Sequence, residues 1–83
     1  MTDYIKPPVK LSANWRIATD NRQWHVQKRK RTKKGDAWKS LSFIASDKGI
    51  LLRCLREDGA VIDKRGQARL NKMPETYFQW IAS

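Results

Sequence analysis

The chain is short and strongly basic. It has 83 residues, of which 18 are Lys or Arg and 8 are Asp or Glu, so its formal net charge is +10. A content of 40% hydrophobic residues is too high for a disordered tail. No apolar run approaches the roughly 18 residues that a membrane span needs, and no signal-peptide pattern is present. We therefore expect a soluble cytoplasmic protein, with no membrane partner, that forms a single small domain over residues 1–83.

The composition leaves little room for catalysis. A single cysteine, Cys54, excludes an intramolecular disulfide and multi-cysteine metal sites, and the lone His25 excludes zinc sites built on a histidine pair. No glycine-rich phosphate loop or nucleophile motif is present. As a general base, His25 would need a carboxylate to orient it, and the sequence offers no evident one. These features predict a non-enzyme without metal or cofactor, in which Cys54 is a small apolar residue on a helix rather than a reactive thiol.

Residues 1–13 are predicted to form an extended N-terminal arm. Proline cannot donate to a sheet ladder and restricts the residue before it to extended conformations, and this segment contains Pro7 and Pro8. Four apolar residues of the arm are expected to hold it against the body: Tyr4, Ile5, Val9 and Leu11.

Residues 14–44 are predicted to form three consecutive strands. Alternating β-formers mark the first over residues 14–19, and turn residues 20–22 separate it from a second strand over about 23–30. A turn near residues 32–36 contains Gly35, which can supply a positive φ, and a third strand covers about 37–44. Because the connections are short, we expect an antiparallel meander.

The period of two along a strand divides these residues between two faces of the sheet. The apolar set predicts a core face made of Trp15, Ile17, Trp24, Val26, Leu41 and Phe43. The opposite face is polar and cationic and holds Arg16, Ala18, His25, Gln27, Arg29, Arg31, Trp38, Ser40 and Ser42. A register slip at a bulge would turn Trp38 inward instead.

A helix is predicted after the sheet. Ser46 and Asp47 can cap it, apolar residues recur at helical spacing up to Glu57, and Gly59 suits its C-terminal stop. This helix would cover the core face and leave the opposite face open. Residues 14–58 thus form the sheet and helix of the predicted domain.

Residues 59–83 are predicted to form a connecting segment and a short C-terminal helix. Residues 60–62 could be a short strand, and 63–66 look like a turn. Pro74 suits the first position of the final helix, which runs to Ala82 and closes the core with Phe78 and Trp80. The resulting fold class is α+β: a three-stranded antiparallel meander with a helix on one face and a short C-terminal helix.

The positive charge is concentrated in one stretch. The stretch from Arg16 to Lys39 contains nine cations and two anions, so it carries +7 of the net charge of +10. Lys and Arg that contact phosphates release condensed counterions, Arg and Gln can read base edges, and an exposed Trp can stack on bases. The candidate nucleic-acid-binding residues are Arg16, His25, Gln27, Lys28, Arg29, Lys30, Arg31, Lys33, Lys34, Trp38 and Lys39. The competing interpretation is a solvated cationic turn that protects a sheet edge.

The order of strands at Trp15–Thr19, Trp24–Lys30 and Trp38–Ile44 and a helix at Asp47–Glu57 resembles a known arrangement. It is similar to the three-stranded-sheet-plus-helix DNA-binding domains of phage and transposon integrases, and to the plant ethylene-response domains. In those families the open sheet face enters the major groove, which implies DNA contacts for Arg16, Gln27, Arg29, Arg31 and Trp38. The glycine-rich first-strand motif of the plant family is absent from this sequence.

The chain also resembles small uncharacterised proteins of phages and prophages. The resemblance lies in the pattern from Trp24 to Phe43 and in the aromatic segment from Pro74 to Trp80. It implies an accessory protein in a bacterial host cytoplasm and carries no assigned activity.

Two other functions remain open beside duplex DNA binding. A phage-encoded interaction module could dock its cationic face on an acidic host protein and modulate it. An assembly protein could hold its basic turn against packaged DNA. RNA binding and the oligomeric state are also left open by the sequence.

Overall fold

The computed structural model describes residues 6–82, which form a four-stranded antiparallel sheet and three helices. The elements are β1 (Lys6–Lys10), β2 (Trp15–Thr19), β3 (Trp24–Thr32), β4 (Gly35–Ile44), α1 (Lys48–Glu57), α2 (Lys64–Lys72) and α3 (Tyr77–Ala82). The sheet order is β1-β2-β3-β4, and each neighbouring pair is antiparallel. The α+β class and the meander are confirmed, but the predicted count of three strands is wrong.

The additional strand comes from the predicted N-terminal arm. β1 pairs with β2 at the edge of the sheet, and an edge strand tolerates proline because its outward N–H needs no partner. Pro7 and Pro8 are exposed there, whereas Val9 and Leu11 are buried as predicted. The amide of Leu11 donates to Trp15 O at 3.0 Å and closes the β1–β2 turn. Tyr4 and Ile5 lie outside the described residues.

β3 and β4 form a long hairpin. Its ladder runs from the pair Trp24↔Ile44 to the pair Thr32↔Gly35, so both strands extend further than predicted. Only Lys33 and Lys34 separate the strands, and Gly35 has φ 117°, the positive φ expected of it. The Thr32 hydroxyl donates to Gly35 O at 2.5 Å and tightens this turn.

A bulge in β4 changes which side chains reach the core. Val26 pairs with Ser42 but Gln27 pairs with Ser40, so Leu41 is the extra residue. Beyond the bulge the alternation is inverted, and the predicted core positions of Leu41 and Phe43 are wrong: they are 39% and 56% exposed. Ser42, predicted on the open face, lies on the helix side, where its hydroxyl donates to Asp58 Oδ2 at 2.6 Å.

The core lies between one face of the sheet and the helices. Trp15, Ile17, Trp24 and Val26 are buried there, as predicted. α1 packs on β3 and β4, and α2 packs beside β1. The helices contribute Leu51, Leu55, Leu70 and Tyr77, and Met73 directly after α2 joins them, while Cys54 is half-buried against this cluster.

α1 begins and ends where its sequence signals lie. The Asp47 carboxylate accepts from Ile50 N at 3.0 Å, and Gly59, just after the helix, has φ 74°. Lys48 in its first turn is buried, and its ammonium group is satisfied there because Nζ donates to Met73 O at 3.0 Å beside the end of α2. α1 and α2 are therefore joined by a charged side chain as well as by apolar contacts.

The turn predicted at residues 63–66 is wrong, because these residues are the N-cap and first turn of α2. Asp63 is its N-cap and accepts from Gly66 N at 2.7 Å. Gly66 is where α2 touches the β1–β2 turn: a Cβ there would lie 2.0 Å from Leu11 O. Only Gly66 and Leu70 of this helix are buried, and its sequence has no row of apolar residues at helical spacing. Residues 60–62 form no strand.

α3 begins at Tyr77, three residues after the predicted start at Pro74. The amide of Gln79 donates to the Thr76 hydroxyl at 3.1 Å, and Thr76 N donates back to Gln79 Oε1 at 3.2 Å. Trp80 is half-buried and its Nε1 donates to Thr19 Oγ1 at 2.8 Å, but Phe78 is 83% exposed and does not close the core. Among residues 6–82, no helix is long and apolar enough to cross a membrane.

Candidate nucleic-acid interface

The hairpin continues past the rest of the sheet as a two-stranded ribbon. The last residue of β3 that pairs with β2 is Lys28, opposite Trp15, and Arg29 N donates to Asn14 O at 2.8 Å. From there to the turn, β3 pairs with β4 alone. We define residues 28–39 as the cationic ribbon; it holds seven cations and one anion.

Lysines occupy the face of the ribbon that continues the core side. Lys28 lies opposite Trp15 on one side and Lys39 on the other, so the period of two places Lys28, Lys30 and Lys39 together. Lys28 Nζ lies 5.5 Å from the Trp15 ring centroid, which covers the end of the core. These lysines line a cavity of about 280 Å³ together with Arg29, Leu41 and Asp58.

Arginines occupy the opposite face of the ribbon. Arg29 pairs with Trp38 and Arg31 with Asp36 across the ladder. Asp36 lies 3.8 Å from Arg29 Nη1 and 4.0 Å from Arg31 Nε, and all three side chains are exposed. Ion pairs this long and this exposed hold the guanidinium groups weakly. The arginines can therefore exchange Asp36 for a stronger anion.

Trp38 stays on the open face of the sheet, because the bulge at Leu41 comes after it. Arg16 packs over it, with its guanidinium carbon 4.3 Å from the Trp38 ring centroid. Arg16 Nε also donates to Gln27 Oε1 at 2.6 Å. Two neighbouring side chains thus orient the Arg16 guanidinium before any ligand arrives.

A chain of hydrogen bonds runs from Gln27 across the open face to the far end of the sheet. Gln27 Nε2 donates to Ser40 Oγ at 3.1 Å, and Ser40 Oγ lies 3.0 Å from His25 Nδ1. His25 Nε2 bonds in turn to Asp20 Oδ2, which supplies the carboxylate partner that the sequence did not reveal. The Phe43 ring packs edge-on against His25 with centroids 4.7 Å apart. We call the four side chains that these bonds join the polar layer: Asp20, His25, Gln27 and Ser40.

Asp20 anchors this chain electrostatically. Burial acts to raise the pKa of its carboxyl, but the amides of Arg22 and Gln23 each donate to Oδ1 at 2.7 Å and His25 contacts Oδ2. The hydrogen bonds outweigh burial, and the pKa of Asp20 lies below its usual value. Burial, together with the charge of Asp20, raises the pKa of Tyr77, whose hydroxyl donates to the Asp20 carbonyl.

The structure divides the eleven candidate residues into two groups. Eight lie in the cationic ribbon, and all of these except the half-buried Trp38 are exposed: Lys28, Arg29, Lys30, Arg31, Lys33, Lys34, Trp38 and Lys39. The other three, Arg16, His25 and Gln27, lie in the body. Gln27 is 2% exposed and its amide is hydrogen-bonded to Arg16 and Ser40, so it supports Arg16 rather than facing a ligand.

Several residues of the site were missed because their roles depend on tertiary placement. Asp20 reads as a turn residue, yet it binds His25 five positions later. Asn14, Arg29, Arg31 and Asp36 together line a second cavity of about 240 Å³ beside the ribbon. Within residues 6–82, no group of three or more His, Cys, Asp or Glu is placed to hold a metal ion.

No protein-family model matches this sequence, and comparisons with curated proteins and with solved structures likewise find no match.

Proposed function

We propose that this protein is a non-enzymatic nucleic-acid-binding protein that binds duplex DNA through the cationic ribbon and the adjoining open sheet face. The setting that fits this proposal is the cytoplasm of a bacterial host, where a phage-encoded accessory protein would meet DNA. No cofactor is required for such binding.

One observation carries the proposal: the cations of the ribbon are both clustered and unburied. Residues 28–37 are all exposed, and Asp36 is the single anion among seven cations in the ribbon. Concentrating like charges costs folding free energy through mutual repulsion, and, apart from Lys28 over Trp15, the cations of the ribbon take no part in the core. Binding a polyanion would offset this cost, because each phosphate contact releases condensed counterions.

The Arg16–Trp38 pair adds a second type of contact. Arg16 is held between the Trp38 ring and Gln27 at the base of the ribbon, on the same face as Arg29. A guanidinium oriented in advance loses less conformational entropy on binding a phosphate or a guanine edge. Trp38 offers its half-exposed ring to a sugar or base.

The polar layer around His25 is assigned a structural role. His25 and Ser40 are half-buried in the sheet surface, where their side chains bond to each other and to Asp20 and Gln27. Together they support the Arg16 side of the interface. The proposal therefore includes no reaction at this site.

The test is binding of a labelled DNA duplex, measured by fluorescence anisotropy for two matched double variants. Arg29→Ala/Arg31→Ala removes two charges from the ribbon; the control Arg22→Ala/Lys72→Ala removes two exposed charges outside it, one in the β2–β3 turn and one at the end of α2. We expect the ribbon variant to bind at least tenfold more weakly at unchanged melting temperature, and the control to bind within about threefold of the wild type. Equal losses would contradict a ribbon-centred site.

The alternative partner is an acidic host protein. It would be recovered in stoichiometric amount from a lysate treated with nuclease, and the wild type would then fail to bind the duplex. That pair of results would replace the present proposal.

A further inference from the structure

We propose that the cationic ribbon enters the major groove of B-form DNA with both of its faces against groove walls, so that the protein selects duplex DNA over duplex RNA. This inference depends on the proposed function and adds to it the form of nucleic acid and the way in which it is bound.

Both faces of the ribbon carry cations. A ribbon that lies flat on a ligand needs cations on one face only. Here Lys30 and Lys39 lie on one face and Arg29 and Arg31 on the other, and all four are exposed. Lys33 and Lys34 continue the charge around the turn. This arrangement fits a ligand that presents phosphates on both sides of the ribbon.

The ribbon extends well beyond its last backbone hydrogen bond to the body. Arg29 is the last residue of β3 that is hydrogen-bonded to the body, through Asn14. From Lys30 to the turn, three residues rise about 10 Å at the strand spacing of about 3.3 Å. The major groove of B-form DNA is about 8.5 Å deep. The free part of the ribbon can therefore reach the groove floor before the body meets the phosphate backbone.

The thickness of the ribbon also fits one groove. A Lys or Arg side chain has at least five bonds of about 1.5 Å beyond Cα and so extends roughly 6 Å, which makes a ribbon with such side chains on both faces about 12 Å thick. The major groove of B-form DNA is about 12 Å wide and admits a two-stranded ribbon, whereas its minor groove is about 6 Å wide. In A-form RNA the major groove is too narrow for side chains, and the minor groove is wide but too shallow to enclose the ribbon between two walls. Of these four grooves, only the major groove of B-form DNA is both wide and deep enough.

The body is placed to contact the groove rim. Arg16 and Trp38 lie where the ribbon leaves the sheet, on the arginine face. Once the ribbon is inserted, this pair is level with the phosphates rather than with the bases. We therefore assign base contacts to the distal residues of the ribbon and backbone contacts to Arg16.

The test measures anisotropy with a DNA duplex and with an RNA duplex of the same sequence, at several salt concentrations. Two variants remove two charges from one face each: Arg29→Ala/Arg31→Ala and Lys30→Ala/Lys39→Ala. The second spares Lys28, which packs on Trp15. The control is again Arg22→Ala/Lys72→Ala, and melting temperatures identify any variant that is destabilised.

We expect both face variants to bind DNA at least tenfold more weakly and to reduce the salt slope by about one to two, while the control changes little. We also expect the wild type to bind the RNA duplex at least tenfold more weakly than DNA. A loss confined to one face, or equal affinity for the two duplexes, would overturn groove insertion and leave nucleic-acid binding intact. A wild type that binds neither duplex would instead overturn the proposed function.

Discussion

The two halves of β3 differ sharply in burial and in charge. Its first half, residues 24–27, has Trp24, Val26 and Gln27 buried, with His25 half-buried. Its second half, residues 28–32, is exposed at every position. The first half lies between β2 and β4, with the bulge at Leu41 opposite it, whereas beyond Lys28 the second half pairs with β4 alone. The first half also has a helix packed on one face and a polar layer on the other.

Side chains of the body are packed in the core or hydrogen-bonded in the polar layer, so we expect the loss of one to lower stability. Side chains of the ribbon are exposed and mostly charged, so under the proposed function we expect the loss of one to weaken binding and to change stability little. Substitutions in the two regions should therefore have opposite signatures.

The largest expected effect is on stability in the body. Trp24 is fully buried and packs edge-on against Tyr77 at 5.6 Å. We expect Trp24→Ala to cost about 3–5 kcal/mol, which approaches the whole stability of so small a domain. Trp38→Ala in the ribbon should cost about 1 kcal/mol or less, because Trp38 is half-exposed. Chemical denaturation of both variants measures the two losses of unfolding free energy. Similar losses would contradict the distinction between body and ribbon.

A smaller effect is expected where α2 meets the β1–β2 turn. Gly66→Ala would place a Cβ 2.0 Å from Leu11 O, so the backbone must shift, at a cost of about 1–3 kcal/mol. Gly49→Ala in α1 is the matched control, because its closest neighbour is Asp47 Oδ1 at 3.1 Å, a side-chain atom. It should change stability by less than about 1 kcal/mol. Thermal melts of both variants measure these changes. A neutral Gly66→Ala would contradict the close contact between α2 and the β1–β2 turn.

A third effect should be confined to the ribbon. Gly35 has φ 117° with open space around it, so Gly35→Ala strains the backbone without a clash. We expect a cost of about 1–2 kcal/mol at the turn. Amide hydrogen exchange should then rise near residues 30–37 and stay unchanged around Trp24. Uniform acceleration along β3 would show that ribbon and body unfold together.

The smallest effect concerns pH. Because the pKa of Asp20 is lowered in the folded state, its carboxylate stabilises the protein above the usual Asp pKa, and that stability is lost as pH falls through the folded value. Melting temperatures of the wild type and of Asp20→Asn should therefore converge below about pH 4. Parallel curves throughout the acid range would show that Asp20 does not anchor the polar layer.

The sequence predicted those parts of the fold that local signals determine. The strand alternation around Trp15 and Trp24, the Asp47 cap and the turn at Gly35 are all local, and all are present. β1 was predicted only as extended chain, because its pairing with β2 is a tertiary event. α2 was missed since only Gly66 and Leu70 are buried, and one of these has no side chain to show periodicity.

The candidate site could be predicted in its charge but not in its geometry. The run from Lys28 to Lys34 is visible in the sequence, and alternation correctly separated Arg29 and Arg31 from the core face. The bulge at Leu41 has no sequence signature. The sequence therefore did not predict that Phe43 lies on the open face and Ser42 on the core side. The link from Asp20 to His25 depends on the β2–β3 turn bringing a carboxylate back over the sheet.

The most direct test of the account is the salt dependence of wild-type binding to a DNA duplex, measured by anisotropy. If four to six cations of the ribbon contact phosphates, the logarithm of the binding constant should fall linearly with the logarithm of salt concentration, with a slope of about −4 to −5. No binding at low salt, or a slope near zero, would contradict the account, and the ribbon would then have to be explained by a protein partner.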